Sequence, residues 1–361
     1  MRILHIHSDR KFISSSTALF SAAQLENTVV YLGESIKGED AIICMPFTRK
    51  NASLLASKAN EYDVVVFYSL RLEHAVICNR INKNVTIIWR FFGGELYQLM
   101  GRKMLSTESQ EFYKEARFHH LLSVLKNTLL YYASAESIFK MAVTRTDYFM
   151  GLSDLEYRFL KESFHDLPPF IQLPYIKEAP HAIAAKKDVV ILGHSKDIYG
   201  NHLEILNGLI SSQMMDNYSY VMFFSYGEYS KEYTRTVLNA TSKSASIRVV
   251  SDFLSRSEYE NITNTAAAMV INSYRQMGMG NVFQALRNGV KVYLNEKNVM
   301  YDWLVKEGFS VYTIGEFFVD ICNRNVHLST DLATKNIEVY NNLSVKYSVE
   351  DFCVRLLSLE K

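Results

Sequence analysis

Asp188-Val-Val-Ile-Leu-Gly193-His-Ser195-Lys196-Asp197-Ile-Tyr-Gly-Asn-His202-Leu-Glu-Ile-Leu-Asn-Gly-Leu-Ile210 passes from a β-branched, aliphatic run through a polar loop into residues with helical apolar spacing. A strand that ends in glycine and feeds a helix is one unit of a parallel α/β sheet. Gly193 permits close backbone approach, and Ser195 and Lys196 can donate to a phosphate. The helix that follows, with His202 one turn in, offers free N–H groups and the positive end of its dipole. An ordinary strand-to-helix turn capped by Asp197 or Asn201 is the other reading of the same residues.

The alternation continues downstream. Strands are expected at Val189–Gly193, Tyr218–Ser225, Ile247–Ser251, Ala268–Ser273 and Val290–Asn295. Helices are expected over Asn201–Gln213, Glu228–Thr241, Arg256–Thr265 and Asn281–Asn288, with two shorter helical patterns closing the chain. Upstream, strands are expected at Arg2–His7, Thr28–Leu32, Ala41–Met45, Asp63–Tyr68, Val85–Phe91 and Asp147–Gly151, with an amphipathic helix over Ser109–Tyr132. Between the halves, Leu167–Pro174 holds three of the five prolines, and Pro180 and an Ala/Lys-rich stretch follow. This reads as an interdomain connection. The expected class is α/β, with two doubly wound, Rossmann-like parallel-sheet domains facing a cleft, over 1–172 and 187–345, and a final helix over 346–361.

Composition agrees. The chain has 361 residues, 48% hydrophobic and 21% charged, which at about 150 residues per domain gives two cores. Net charge is +1, against a nucleic-acid-binding footprint. The 23 Tyr and 21 Phe with only 5 Pro exclude a low-complexity chain. Cys44, Cys78, Cys322 and Cys353 form no CxxC pair, as expected of buried thiols in a reducing cytoplasm. The N-terminus lacks a signal-peptide core, and no window approaches the ~18 apolar residues of a membrane span. There is no HExxH, zinc-type Cys/His spacing or Asp-x-Asp, so no metal and no cofactor is expected.

Two further segments carry chemistry. Asn272-Ser-Tyr-Arg275-Gln276-Met-Gly278-Met-Gly280-Asn281 stands at another strand-to-helix joint. Gly278 and Gly280 let main-chain amides wrap an anion, while Arg275 and Gln276 add side-chain donors. The run is neither a GxGxxG dinucleotide fingerprint nor a P-loop, and its position in the second half fits a nucleotide-sugar diphosphate better than NAD or ATP. In the first half, Trp89-Arg90-Phe-Phe-Gly93-Gly94-Glu95-Leu-Tyr97 runs from a strand into a helix. Glu95 is either a helix-capping carboxylate or a cleft-facing general base. His7, at the end of the first strand, competes for the base role or is a satisfied structural residue.

At these three segments the chain resembles the bacterial TDP-N-acetylfucosamine:lipid II N-acetylfucosaminyltransferases, glycosyltransferase family 56. The resemblance rests on Trp89 with Gly93–Tyr97, on Gly193-x-Ser195-x-Asp197-x4-His202, and on Arg275-Gln276-x-Gly278-x-Gly280 followed by Leu286, Gly289 and Leu294-Asn295. It implies a glycosyltransferase-B fold, a TDP-activated amino-deoxy sugar as donor and a polyprenyl-diphosphate-linked saccharide as acceptor. It places the donor at Gly193, Ser195, Lys196, Asp197, His202, Arg275, Gln276, Gly278, Gly280 and Asn281. The acceptor side is then Gly93, Gly94, Arg90 and Tyr97, and the last helix packs back on the first domain. Glu95 replaces an expected Asp, and Arg90 and Phe92 an expected His and Trp, which also fits a related O-antigen or capsule enzyme with a different acceptor. A nucleotide-sugar epimerase on the same architecture, or a binding protein without activity, is the alternative.

Residues 101–127 include Arg102, Lys103, Lys114, Arg117 and Lys126 among many aromatics. Such a surface can rest on anionic headgroups without spanning, or be an ordinary solvated face. The expected location is the cytoplasmic face of the bacterial inner membrane, as a peripheral protein.

Overall fold

The computed structural model describes residues 1–14, 19–20, 25–34, 41–113, 134–175, 183–212, 214, 216–227 and 230–358. These form two compact units, one from the described residues of 1–96, 134–175 and 343–358, the other from those of 97–113 and 183–342. The helix expected over Ser109–Tyr132, Lys114, Arg117, Lys126 and Pro180 lie wholly or mostly outside the described residues. Among the described residues no helix is long and apolar enough to cross a membrane.

The first unit carries a seven-stranded parallel sheet of β1 (Arg2–His7), β2 (Glu26–Tyr31), β3 (Ile42–Cys44), β4 (Val64–Tyr68), β5 (Thr86–Arg90), β6 (Tyr148–Gly151) and β7 (Phe170–Gln172), in the order β3-β2-β1-β4-β5-β6-β7. Central β4, Val-Val-Val-Phe-Tyr, is buried at every position, as a strand covered on both faces requires. Strand β7 falls inside the stretch expected to be a connection. Pro168 and Pro169 precede it, and because β7 is an edge strand paired only with β6, the missing proline N–H groups break no ladder. The helix Val349–Leu357 belongs to this unit, with Phe352 and Leu356 in one core cluster with Ile3, Phe20, Val66 and Ile88.

The second unit holds a six-stranded parallel sheet of β8 (Lys187–Leu192), β9 (Ser219–Phe223), β10 (Ile247–Val250), β11 (Ala266–Ile271), β12 (Lys291–Leu294) and β13 (Tyr312–Thr313), in the order β10-β9-β8-β11-β12-β13. Its helices start where the side chains dictate: Ser255 with Glu258, and Thr313 with Glu316, form reciprocal capping boxes ahead of Arg256–Thr265 and Ile314–Cys322. Beyond β12 the chain adds β13 and the helices Val299–Glu307, Ile314–Cys322 and Thr330–Lys346, more structure than the expected pair of closing helices. Strand order reverses between β8 and β11, so the loops leaving these two strands splay apart and open a crevice at their carboxyl ends.

Candidate functional site

The loop that leaves β8 turns off the sheet at Gly193, whose φ of 68° is left-handed and whose amide donates to Val270 O at 2.9 Å. A side chain at Gly193 would begin 3.1 Å from His202 Nε2. Asp197 then caps the short turn Ile198–Gly200 by accepting from the Tyr199 amide at 2.9 Å. Asn201 is left-handed at φ 48° and fully buried, a conformation asparagine tolerates better than most residues. Its Oδ1 accepts from the Ser106 amide at 2.8 Å and its Nδ2 donates to Asn272 O at 3.1 Å, tying the loop to the segment that leaves β11.

That segment is held by buried amides. Asn272 Nδ2 donates to Glu204 Oε2 at 2.7 Å and Asn295 Nδ2 donates to Asn272 Oδ1 at 2.7 Å. Asn298 Nδ2 donates to Ser273 O at 3.0 Å and Arg275 O at 2.7 Å. A satisfied network of this kind fixes backbone geometry, here the backbone that delivers Arg275.

Arg275 is only 5% exposed. Its guanidinium lies 4.8 Å over the Tyr199 ring, its Nη1 donates to Gln276 O at 3.3 Å, and its Nη2 is 3.4 Å from Asp197 Oδ2. Its Nε has no hydrogen-bond partner among the described residues, so a five-donor fork is buried on two long contacts. Ser195 Oγ is likewise buried without a partner among the described residues, and the His202 ring is set against the Ser195 backbone. His202 is anchored through Nδ1 to Tyr233 OH at 2.8 Å, and burial pushes its pKa down to about 4, so the ring is neutral at pH 7. Its Nε2 edge borders a small recess lined by Leu192, Gly193, Gly200 and Asn272.

Gly278, at φ 63°, is the N-cap of Met279–Arg287 and supplies no side chain to bond that helix's first amides. A Cβ there would fall 2.9 Å from His194 Nδ1, whereas one at Gly280 would meet nothing within 4 Å. The helix terminus is therefore open at Gly280, and Asn281, half-buried in the first turn, lies beside it. Gln276 is buried beside Arg275, and Lys196 is half-exposed with its amide bonded to Tyr226 O at 2.8 Å. The structure thus gathers the two glycine-bearing joints at the ends of β8 and β11. It adds His194, Glu204, Asn272 and Asn298, which sequence reasoning did not single out as site residues.

In the first unit, β5 runs into Gly93, at φ 101°, and Glu95 occupies the first turn of Gly94–Met100. Glu95 is half-buried and accepts from Trp89 Nε1 at 3.3 Å. Tyr97, the residue with which the second unit begins, is fully buried, so it packs rather than presents a surface. Arg90 is also buried, 4.8 Å over the Phe92 ring, and donates to Phe91 O. Burial pulls its pKa below the ordinary arginine value, against the effect of Tyr175, Tyr68, Glu95 and Glu156. His7 is fully buried and stacked 3.8 Å from the Tyr68 ring. Burial, with His5 and His74 nearby, pushes its pKa down to about 3, too weak a base to take a hydroxyl proton at neutral pH.

No protein-family model matches the chain, and no curated protein matches it in sequence. Solved structures do. Anabaena HepE in complex with UDP-glucose superposes with a TM-score of 0.65 at 12% identity, covering 99% of each chain. Sucrose-phosphate synthase from Thermosynechococcus elongatus gives 0.64 at 11% identity, covering 99% of this chain and 98% of that one. An alpha-glucosyltransferase in complex with UDP gives 0.57 at 10% identity, again over 99% and 98%. With two all-parallel sheets, each reversing strand order at its first strand, and whole-chain likeness to these enzymes, the protein has the glycosyltransferase-B fold.

Proposed function

We propose that the protein is a metal-independent glycosyltransferase that moves an amino-deoxy sugar from a TDP-sugar to a polyprenyl-diphosphate-linked saccharide. It would act at the cytoplasmic face of the bacterial inner membrane, as a peripheral protein. The observation that carries this reading is Arg275: a buried, under-bonded guanidinium at the carboxyl ends of β8 and β11, beside an open helix N-terminus. Two of the solved structures with this fold have UDP or UDP-glucose bound, which supports a nucleotide diphosphate here. The choice of TDP, of an amino-deoxy sugar and of a lipid-linked acceptor rests on the resemblance to glycosyltransferase family 56.

Transfer breaks the bond between the anomeric carbon and the β-phosphate oxygen, and the departing diphosphate keeps the electron pair. Arg275, Ser195 Oγ and the amide at Gly280 meet that charge with fixed donors, which need no reorganisation as the bond breaks. Neutral His202 contributes a ring nitrogen without adding charge. In the first unit, Glu95 takes the proton of the attacking acceptor hydroxyl, its carboxylate oriented by the Trp89 indole N–H.

Incubation with TDP-, UDP- and GDP-sugars and a synthetic prenyl-diphosphate oligosaccharide, in EDTA and read by mass spectrometry, tests the reading. The expected result is one added deoxy-amino sugar, from the TDP donor and only with acceptor present. Conversion of donor without acceptor would identify an epimerase-like enzyme instead. Loss of transfer in EDTA, restored by a divalent cation, would overturn metal independence.

A further inference from the structure

Asp197 stands in an unusual position for a residue of an anion-binding site. Its carboxylate shares the guanidinium that the proposed diphosphate also needs, with Oδ2 3.4 Å from Arg275 Nη2. The rest of its surroundings fix it in place. Oδ1 accepts from the Tyr199 amide at 2.9 Å, and Gly227, left-handed at φ 92°, stands beside it, where an added Cβ would be in ordinary contact 3.5 Å from the Asp197 amide. The Asp197 side chain is 31% exposed against 7% for Arg275, so the carboxylate is the solvent-side member of the pair. A fixed carboxylate of this kind opposes any anion that comes to Arg275, and opposes it more as that anion's charge grows.

We propose, resting on the glycosyltransferase reading above, that Asp197 is a product-release residue, which competes with the diphosphate for Arg275. A nucleotide sugar carries two negative charges on its diphosphate. When the bond to the anomeric carbon breaks, the nucleoside diphosphate left behind gains a third. The carboxylate therefore penalises product more than donor. On departure of the diphosphate, Arg275 keeps Asp197 as its counter-ion rather than being left a buried, unpaired charge. The same pairing keeps the guanidinium neutralised between turnovers. Asp197 thus differs from Ser195 and Arg275: it acts through Arg275 and does not bind the donor.

Asp197→Asn removes the charge and keeps the cap, because asparagine is as good an N-cap as aspartate. Calorimetry of the full-length protein with TDP, UDP and the matching nucleotide sugars reads the effect. The expected result is a nucleoside diphosphate affinity about tenfold tighter in the variant, with the nucleotide sugar tightened by no more than about threefold. Product inhibition deepens in parallel. Asp197→Glu, which restores the charge, returns the ratio of the two affinities toward the parent value. Equal weakening of both ligands in Asp197→Asn would make the residue a mere holder of Arg275 and overturn the proposal, as would no change in either. If the parent protein binds neither nucleoside diphosphates nor nucleotide sugars, the glycosyltransferase reading fails and this proposal falls with it. Should Asp197→Asn not fold, the depth of product inhibition in Asp197→Glu and Asp197→Ser decides, with deeper inhibition expected only where the charge is lost.

Discussion

Arg275→Ala lowers kcat/KM for the nucleotide sugar by about a thousandfold, the effect of deleting one preorganised donor to a developing oxyanion. The size follows from burial. A guanidinium 5% exposed, resting on the Tyr199 ring and making only two long polar contacts, has its remaining donors undiluted by water. Arg275→Lys recovers little, since a point-charge ammonium replaces neither the planar fork nor its stacking on Tyr199. Acceptor KM stays near the parent value, because the acceptor is assigned to the first unit. Stability is affected less than turnover: the partner left behind, Asp197, is solvent-facing, so its charge is not stranded in the interior. Steady-state kinetics with donor and acceptor varied separately checks this, and near-normal donor turnover in Arg275→Ala would refute the role.

Mild acid is expected to unfold the protein. His5, His7, His74 and His202 are at most 4% exposed. Burial pushes their pKa values down to about 4, 3, 3 and 4 respectively. In the unfolded chain each returns to about 6.5. Between those values the unfolded state binds more protons than the folded one, so stability falls as pH falls. The stability is fully present above about pH 6.5 and is lost progressively down to about pH 4 for His5 and His202, and about pH 3 for His7 and His74. At pH 5 each histidine costs about 2 kcal/mol relative to pH 7, which for several together is comparable to the whole stability of a domain. His74 offers the control. Neither of its ring nitrogens has a hydrogen-bond partner among the described residues, and it packs edge-on to Phe67 at 5.7 Å. His74→Phe preserves that packing and moves the acid midpoint down, measured by fluorescence or calorimetry from pH 7 to 4. A midpoint unmoved by His74→Phe, or a melting temperature flat from pH 7 to 5, would contradict the account.

Much of the architecture was legible because buried parallel strands write themselves as short runs of β-branched and aliphatic residues. Arg2–His7 and the helix Arg256–Thr265 were placed to the residue, and in the structure the Ser255/Glu258 box fixes where the latter starts. The helix expected from Asn281 begins at Met279, because Gly278 in the left-handed region ends the turn earlier than apolar spacing indicates. β7 was hidden by prolines that mark a connection unless one knows that the strand lies at an edge. β13 has two residues and no periodicity to read. For the site, the joints at Gly193 and Gly278 stood out locally. Nothing local pairs Asn201 with Ser106 and Asn272, nor Asn298 with Arg275 O, since these bonds join residues far apart in the chain. Burial was equally hidden: His7 ends a strand and Tyr97 sits mid-way along the short helix after Gly93, places where exposed functional groups often lie, yet both are fully enclosed.

The central claim is that a nucleoside diphosphate is held at the carboxyl ends of β8 and β11. A crystal structure of the protein with TDP tests it most directly. The account predicts phosphate oxygens within about 3 Å of the Arg275 guanidinium, of Ser195 Oγ and of the Gly280 amide. Phosphates bound elsewhere, with Ser195 Oγ and Arg275 Nε still without partners, would contradict it.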